Sequence, residues 1–307
     1  MAKIFNSKYP IVAVGMNKVS DITLAIAVAE AGGIPTISCF NYVSTRNDNI
    51  FNVEKLRNDL SLFDHHQYDL VISLDDNFLL THSYLISIFK EYKIKYVEIL
   101  VNFFADNEQF LKVKFLIDDL LSANIKLLTK MFAPLDSANK WNNYIKENFD
   151  GIIVKGSLGA GRVLSDKTYT LQMLTEMFIK NYPDKFIIAS GGVGSPVEVK
   201  QLIDCGAGAV GIGTLFAASQ ESILSIETKK RMIESTFKNI ETLDTYDLNQ
   251  NALVFSNIDQ NKENNTEGLV QGIKTGTAGH VFAGKGINYI NEIQTSKSII
   301  KNLCSLL

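Results

Sequence analysis

Three cysteines in 307 residues, Cys39, Cys205 and Cys304, are too few, odd in number and too widely spaced for a disulfide framework or a cysteine-based zinc site. Their scarcity fits a reducing compartment, and a cytoplasmic location is expected. No apolar run reaches the ~18 residues that a membrane span needs. The first ten residues lack the apolar core of a signal peptide, so neither a span nor a leader is expected. Charge is nearly balanced, with 30 Lys and Arg against 33 Asp and Glu. The net charge of −3 offers no general attraction to nucleic acid or to an anionic membrane. Histidine is also scarce. His65 and His66 fall in a polar turn and read as solvated, and with His82 and His280 they form no metal-binding pattern, so no metal site is expected. No GxGxxG follows the first apolar run, which argues against a dinucleotide-binding open sheet.

Two glycine-ended apolar runs stand out against this background. Phe186-Ile-Ile-Ala-Ser-Gly-Gly-Val193 and Ala209-Val-Gly-Ile-Gly-Thr-Leu-Phe216 each read as a buried parallel strand whose glycines let backbone approach a ligand. Between them, Ser195 suits an N-cap and Pro196 a first helical position, so a helix is expected over 195–205. Paired loops of this kind suit the phosphate site of a (β/α)8 barrel, which lies after its last two strands. Glycines that serve only tight turns are the alternative.

Strand and helix alternate along the chain. Strands are expected over 11–15, 34–40, 69–74, 96–101, 125–130, 151–155, 186–190 and 209–213. Helices are expected over 21–30, 53–63, 79–92, 108–122, 137–148 and 167–181. With 195–205 this is an α/β (β/α)8 TIM-barrel count, with a doubly wound open sheet as the runner-up. The expected barrel comprises 1–217 and 286–307, with a small helical or loop excursion, read as a lid, over 218–285. Within that excursion 221–243 reads as helix, 247–266 as a polar loop and 275–287 as a glycine-rich stretch. A final amphipathic helix is expected over 291–307.

The chain resembles a known family. Tyr9-Pro-Ile-Val-Ala-Val-Gly-Met-Asn-Lys-Val-Ser20 looks like the opening of the nitronate monooxygenases, formerly 2-nitropropane dioxygenases. Flavin-dependent enoyl reductases and some NADH:quinone reductases share their fold. Lys95-Tyr-Val-Glu98 and Ile125-Lys-Leu-Leu-Thr-Lys130 resemble the family's fourth and fifth strands. Gly156-Ser-Leu-Gly-Ala-Gly-Arg162 resembles the loop after the sixth strand, and Ala283-Gly-Lys-Gly286 is a weaker echo. The resemblance implies FMN at the C-terminal mouth of the barrel. Val14, Gly15 and Met16 would line the ring, with Ser73 in place of an asparagine and Ala160 and Gly161 in the loop. Ser190, Gly191, Gly192, Val193, Gly213 and Thr214 would hold the phosphate. Lys130 matches a flavin-contacting lysine and Lys155 is a second candidate for that contact, against the alternative of lysines reaching out to water.

The departures bear on chemistry. Arg162 stands where family enzymes usually carry histidine, Leu158 replaces the loop's acidic residue, and Ala13 replaces an early glutamine. A guanidinium stays protonated, so Arg162 cannot abstract a proton, yet it suits the two oxygens of an anionic nitronate. The expected activity is therefore nitronate oxidation through FMN, with a small-molecule substrate, oxygen or NAD(P)H as second reactant, and a homodimer as candidate assembly. An NAD(P)H-dependent quinone or enoyl reductase and a flavin-binding protein without turnover are the alternatives. A purine-nucleotide oxidoreductase needs a cysteine after the sixth strand, and none lies between Cys39 and Cys205. His280 is a further candidate to approach the flavin from the glycine-rich tail.

Overall fold

The β-branched runs pair as parallel strands: β1 Ile11–Ala13, β2 Thr36–Ser38, β3 Val71–Asp75, β4 Tyr96–Leu100, β5 Lys126–Met131 and β6 Gly151–Lys155. The two-residue β7 Gly161–Arg162 follows, and then β8 Phe186–Ser190 and β9 Ala209–Ile212. A computed structural model describes residues 4–43, 50–162, 167–245, 248–255 and 265–307. Eight of these strands form one parallel sheet in the order β1-β9-β8-β6-β5-β4-β3-β2. A parallel bridge between Val12 and Ile34 joins its two ends. There Ala13 N–H donates to Ile34 O at 2.9 Å and Ile34 N–H to Ile11 O at 2.8 Å. The result is a (β/α)8 barrel with helices outside.

The helices begin where the sequence offers a cap. Asp21, Asp106 and Thr170 each accept a first-turn N–H, and Ser195 and Glu198 form a capping box ahead of Pro196. The expected helix over 79–92 is two pieces, Asp76–Thr81 and Leu85–Glu91. The break falls at His82, whose Nδ1 sits 3.1 Å from Phe78 O and whose ring stacks on Phe78. Among the described residues no helix is long and apolar enough to cross a membrane.

The barrel is closed below and open above. Inward-facing Val12, Val71, Tyr96, Leu128, Ile153, Ile188 and Ala209 pack with Phe5, whose ring meets Tyr96 at 4.5 Å and Phe186 at 5.7 Å. The Tyr96 hydroxyl also donates to Ile4 O, so the N-terminal segment seals the bottom. Any ligand must therefore enter at the C-terminal mouth.

The expected helix over 221–243 is shorter, Ile226–Ile233, and Lys229 in it is buried with its amine on Gln220 O and Ser222 O. Residues 240–243 are instead part of a strand, β10 Ile240–Thr245, pairing antiparallel with β11 Leu248–Val254. β11 in turn pairs with β12 His280–Phe282. The polar run expected as a loop over 247–266 thus supplies a central strand, because partners on both sides satisfy its backbone whatever its side chains. The remainder of that expected loop, over 256–264, lies outside the described residues. The final helix is Ser296–Leu303, shorter than expected, and it packs on the helix Ile22–Glu30.

Candidate active site at the barrel mouth

Side chains two residues apart on a strand share a face. Moving up by two from the apolar interior therefore gives the floor of the mouth: Val14, Ser73, Glu98, Lys130, Lys155, Ser190 and Gly211 all line one cavity of about 320 Å³. The register makes the charged members a staircase. Glu98 stands opposite Leu128, two residues below Lys130, and Lys130 stands opposite Ile153, two below Lys155. Lys130 Nζ lies 2.8 Å from Glu98 Oε1, and the Glu98 carboxylate is 1% exposed. Glu98 Oε2 has no hydrogen-bond partner among the described residues.

Lys155 does not reach out to water. Its amine folds under the following loop and donates to Ala160 O at 2.6 Å. A Cβ at Gly159 would lie 2.8 Å from that nitrogen, so a larger residue there would displace the amine. Burial first, and then repulsion from Lys130, push the Lys155 ammonium down to about 7 from 10.5, with Glu98 partly opposing.

Gly191 and Gly192, at φ +125° and +87°, turn the chain after β8. A Cβ on Gly191 would strike Gly156 backbone and one on Gly192 would strike Leu158, so the loops after β6 and β8 are packed face to face. The N–H groups of Gly192 and Val193 meet no acceptor among the described residues, and both residues line the cavity with Gly213 and Thr214. Backbone donors with unmet capacity at a glycine turn fit a phosphate. Opposite, Ser20 Oγ accepts from Met16 N–H at 2.9 Å and donates to Val14 O at 3.1 Å, fixing the backbone of Val14, Gly15 and Met16 against the cavity.

Arg162 is carried by a strand. β7 pairs antiparallel with β11, Arg162 opposite Gln250 and Gly161 opposite Asn251. Asn251 Nδ2 also donates to Gly159 O at 2.9 Å and Ser157 O at 3.3 Å. The small sheet thereby holds the loop after β6, and Arg162 lines the cavity beside Gln250 and Phe282. Burial raises the Asp76 carboxyl, opposed by the backbone N–H groups of Asn102 and Asn77 and, less, by the charge of Arg162.

All fifteen candidate residues, from Val14 to Thr214 and with Ala160, Gly161 and Arg162 among them, line this single cavity. His280 does not, although Val281 and Phe282 do. Its ring is fully buried with both nitrogens unpartnered among the described residues. Glu98 was missed, though a carboxylate two residues beyond the inward Tyr96 was a visible signal. Gln250 and Phe282 had no local signal, because only the β7–β11–β12 pairing brings them to the mouth.

Residues 119–305, more than half of the chain, match the profile of the nitronate monooxygenase family, and the chain belongs to that family. Its class is that of a flavin-dependent oxidoreductase on a (β/α)8 barrel. No curated protein matches the chain. Among solved structures, FabK from Thermotoga maritima is similar with a TM-score of 0.76 at 20% identity, over 98% of this chain and 93% of that one. A nitroalkane oxidase from Streptomyces ansochromogenes gives 0.72 at 15% identity, over 98% and 96%. The enoyl reductase domain of MlnA from Bacillus amyloliquefaciens gives 0.69 at 11%, over 98% and 94%. These likenesses concern the fold.

Proposed function

We propose that the chain is an FMN-dependent oxidoreductase that oxidises a small anionic nitronate. One observation carries this reading: Arg162, carried on β7, lines a cavity whose floor holds Lys130 and Lys155 and whose wall also holds Lys18. The cavity's outer wall is apolar, formed in part by Phe40, Phe132, Leu269 and Phe282. Such a site suits a small anion bearing an alkyl group. A planar guanidinium matches the two coplanar oxygens of a nitronate.

The residues present fit FMN. The glycine turn at Gly191–Gly192 with Val193, Gly213 and Thr214 would hold the phosphate, and the absence of a dinucleotide fingerprint speaks for FMN over FAD. Backbone at Val14–Met16 would line the ring, and Lys130 would face its electron-rich edge. Bound there, FMN would supply the electron-accepting chemistry that nitronate oxidation by oxygen requires. Arg162 binds and orients the substrate, and Phe282 and Leu269 exclude water above it. Since a nitronate is already an anion, the missing histidine is not needed for this substrate.

The test is anaerobic mixing of the FMN-loaded protein with propyl-2-nitronate. Bleaching of the flavin supports the reading. Bleaching by NAD(P)H alone, with turnover on a quinone, would assign the site to a reductase. A flavin that neither donor bleaches would leave a binding protein without turnover.

A further inference from the structure

We propose that Lys155 is the proton-transferring residue of this site, taking the α-proton from a neutral nitroalkane and so forming the nitronate in place. The inference rests on the nitronate reading and extends it to the protonated donor. Among the described residues of the loop after β6, Arg162 stays charged and cannot serve as the base for that step. The strand beneath the loop offers one.

The geometry separates the two lysines by task. Lys130 is paired with a buried carboxylate at 2.8 Å. Lys155 is one stair higher and hydrogen-bonded to the Ala160 carbonyl at 2.6 Å, an acceptor that serves an amine in either charge state. Among the described residues, the charged groups of the cavity wall beside Lys155 are Glu98 on β4, Lys130 on β5, Asp75 at the end of β3, Arg162 on β7 and Lys18 after β1. Lys130 repels an ammonium at Lys155 more than Glu98 attracts one, and burial acts in the same direction as Lys130. A fraction of Lys155 is thus neutral near neutral pH, as a general base must be.

The step balances without an oxidant. The donor's α C–H bond breaks and an N–H bond forms at Lys155. The electron pair moves into a C=N bond, and the negative charge settles on the two nitro oxygens, which the Arg162 side of the cavity favours. The ammonium then returns its proton to water at the open mouth.

The experiment uses FMN-loaded wild type, Lys155→Met and Lys155→Arg, with 2-nitropropane and propyl-2-nitronate as anaerobic donors. In wild type, flavin reduction by 2-nitropropane should rise through an inflection near the Lys155 value of about 7. Both variants should lower the ratio of neutral-donor to anion-donor rates by on the order of 100-fold, since arginine keeps the charge but cannot take a proton. In parallel, NMR of isotope-labelled lysine, with the Lys155 signal assigned by its loss in Lys155→Met, should show one amine titrating far below the others. A Lys155 that titrates near 10.5 overturns the proposal. So does a fall shared equally by both donors, or a Lys155→Arg protein that still uses 2-nitropropane. Wild type bleached by nitronate and not by 2-nitropropane overturns this proposal and leaves the function reading standing; bleaching by neither ends both. Should the variants fail to hold FMN, the wild-type titration decides together with α-hydrogen exchange of 2-nitropropane in deuterated water.

Discussion

Lys285 Nζ lies 2.7 Å from Glu198 Oε1, joining the C-terminal segment to the helix that follows the Gly191–Gly192 turn. The second oxygen of Glu198 accepts from Gly194 N–H at 3.0 Å and Ser195 N–H at 3.2 Å. Nearby, Lys285 N–H donates to Leu158 O at 2.8 Å and Gly284 N–H to Thr214 Oγ1 at 3.1 Å. One carboxylate therefore braces the glycine turn from both sides.

Glu198→Ala should cost about 1–2 kcal/mol of stability, the worth of a helix cap, and should weaken FMN binding severalfold. Burial raises the Glu198 carboxyl, but the Lys285 contact and the backbone donors outweigh it and hold it below 4.5. A depressed carboxyl stabilises the fold above its unfolded value and loses that contribution as pH falls through the folded one. The stability gap between wild type and variant, read by denaturant melts, should therefore narrow as pH falls below 4.5. A gap independent of pH would assign the cost to the lost cap alone.

Lys130→Met removes one partner of a buried pair and leaves the Glu98 carboxylate uncompensated. Loss of one partner in such a pair typically costs about 3–5 kcal/mol. Lys130 is 19% exposed, so a value near the lower end is expected. Adding Glu98→Gln should recover most of that loss. In the single variant Lys155 gains the attraction of Glu98 without the repulsion of Lys130, so its ammonium should titrate upward from about 7. If Lys130 also faces the flavin's electron-rich edge, a redox titration should show a lower reduction potential in both variants that lack it.

The barrel was legible because its strands are short β-branched runs ended by glycine or a polar residue, and that pattern needs no tertiary context. At the mouth, the Ser190 loop and the strand-end Lys155 were legible from that pattern, whereas Ser73 and Lys130 came from the family resemblance; all four are polar residues at inward positions. Glu98 obeys the same rule and went unread among apolar neighbours. The small sheet was not legible. Leu248–Val254 is rich in Asn and Gln, and its strand character comes from β10 and β12 on either side of it, and from β7 across a long stretch of chain. Residues 240–243 lost their expected helix to the same pairing. Where secondary structure is imposed by a partner strand, local propensity is a weak guide.

His280 offers a clean pH probe of the small sheet. Burial pushes its imidazolium down to about 4 from 6.5, and neither ring nitrogen has a partner among the described residues. Between those two values the unfolded chain binds a proton that the folded chain refuses, so stability falls as pH drops from 6.5 towards 4. His280→Leu should remove that component and flatten the wild-type stability profile over the same window. At neutral pH it should be more stable by about 1 kcal/mol, because unpartnered polar atoms are replaced by apolar ones. Equal slopes for the two proteins would show that the ring finds a partner in solution.

Arg162 supplies the sharpest functional test, because its two candidate roles move different constants. If the guanidinium only binds the nitro oxygens, Arg162→Ala should raise KM for propyl-2-nitronate and leave kcat near its wild-type value. If the contact strengthens as charge leaves the substrate, kcat should fall as well. Loss of one charge-assisted contact is worth about 1.5–3 kcal/mol, or roughly tenfold to a hundredfold in kcat/KM. Truncation also has a structural arm: the β7–β11 pairing is made by backbone, so Arg162→Ala should retain the loop and its FMN. Loss of FMN in that variant would instead make Arg162 a support of the cofactor site. Arg162→His places a titratable group at the same strand position. Combined with Lys155→Arg, it should restore part of the turnover of neutral 2-nitropropane if proton removal is the step that Lys155 performs. A double variant that oxidises nitronate but never the neutral donor would mean that position 162 lies out of reach of the α-carbon, and that the proton must leave from the floor of the barrel.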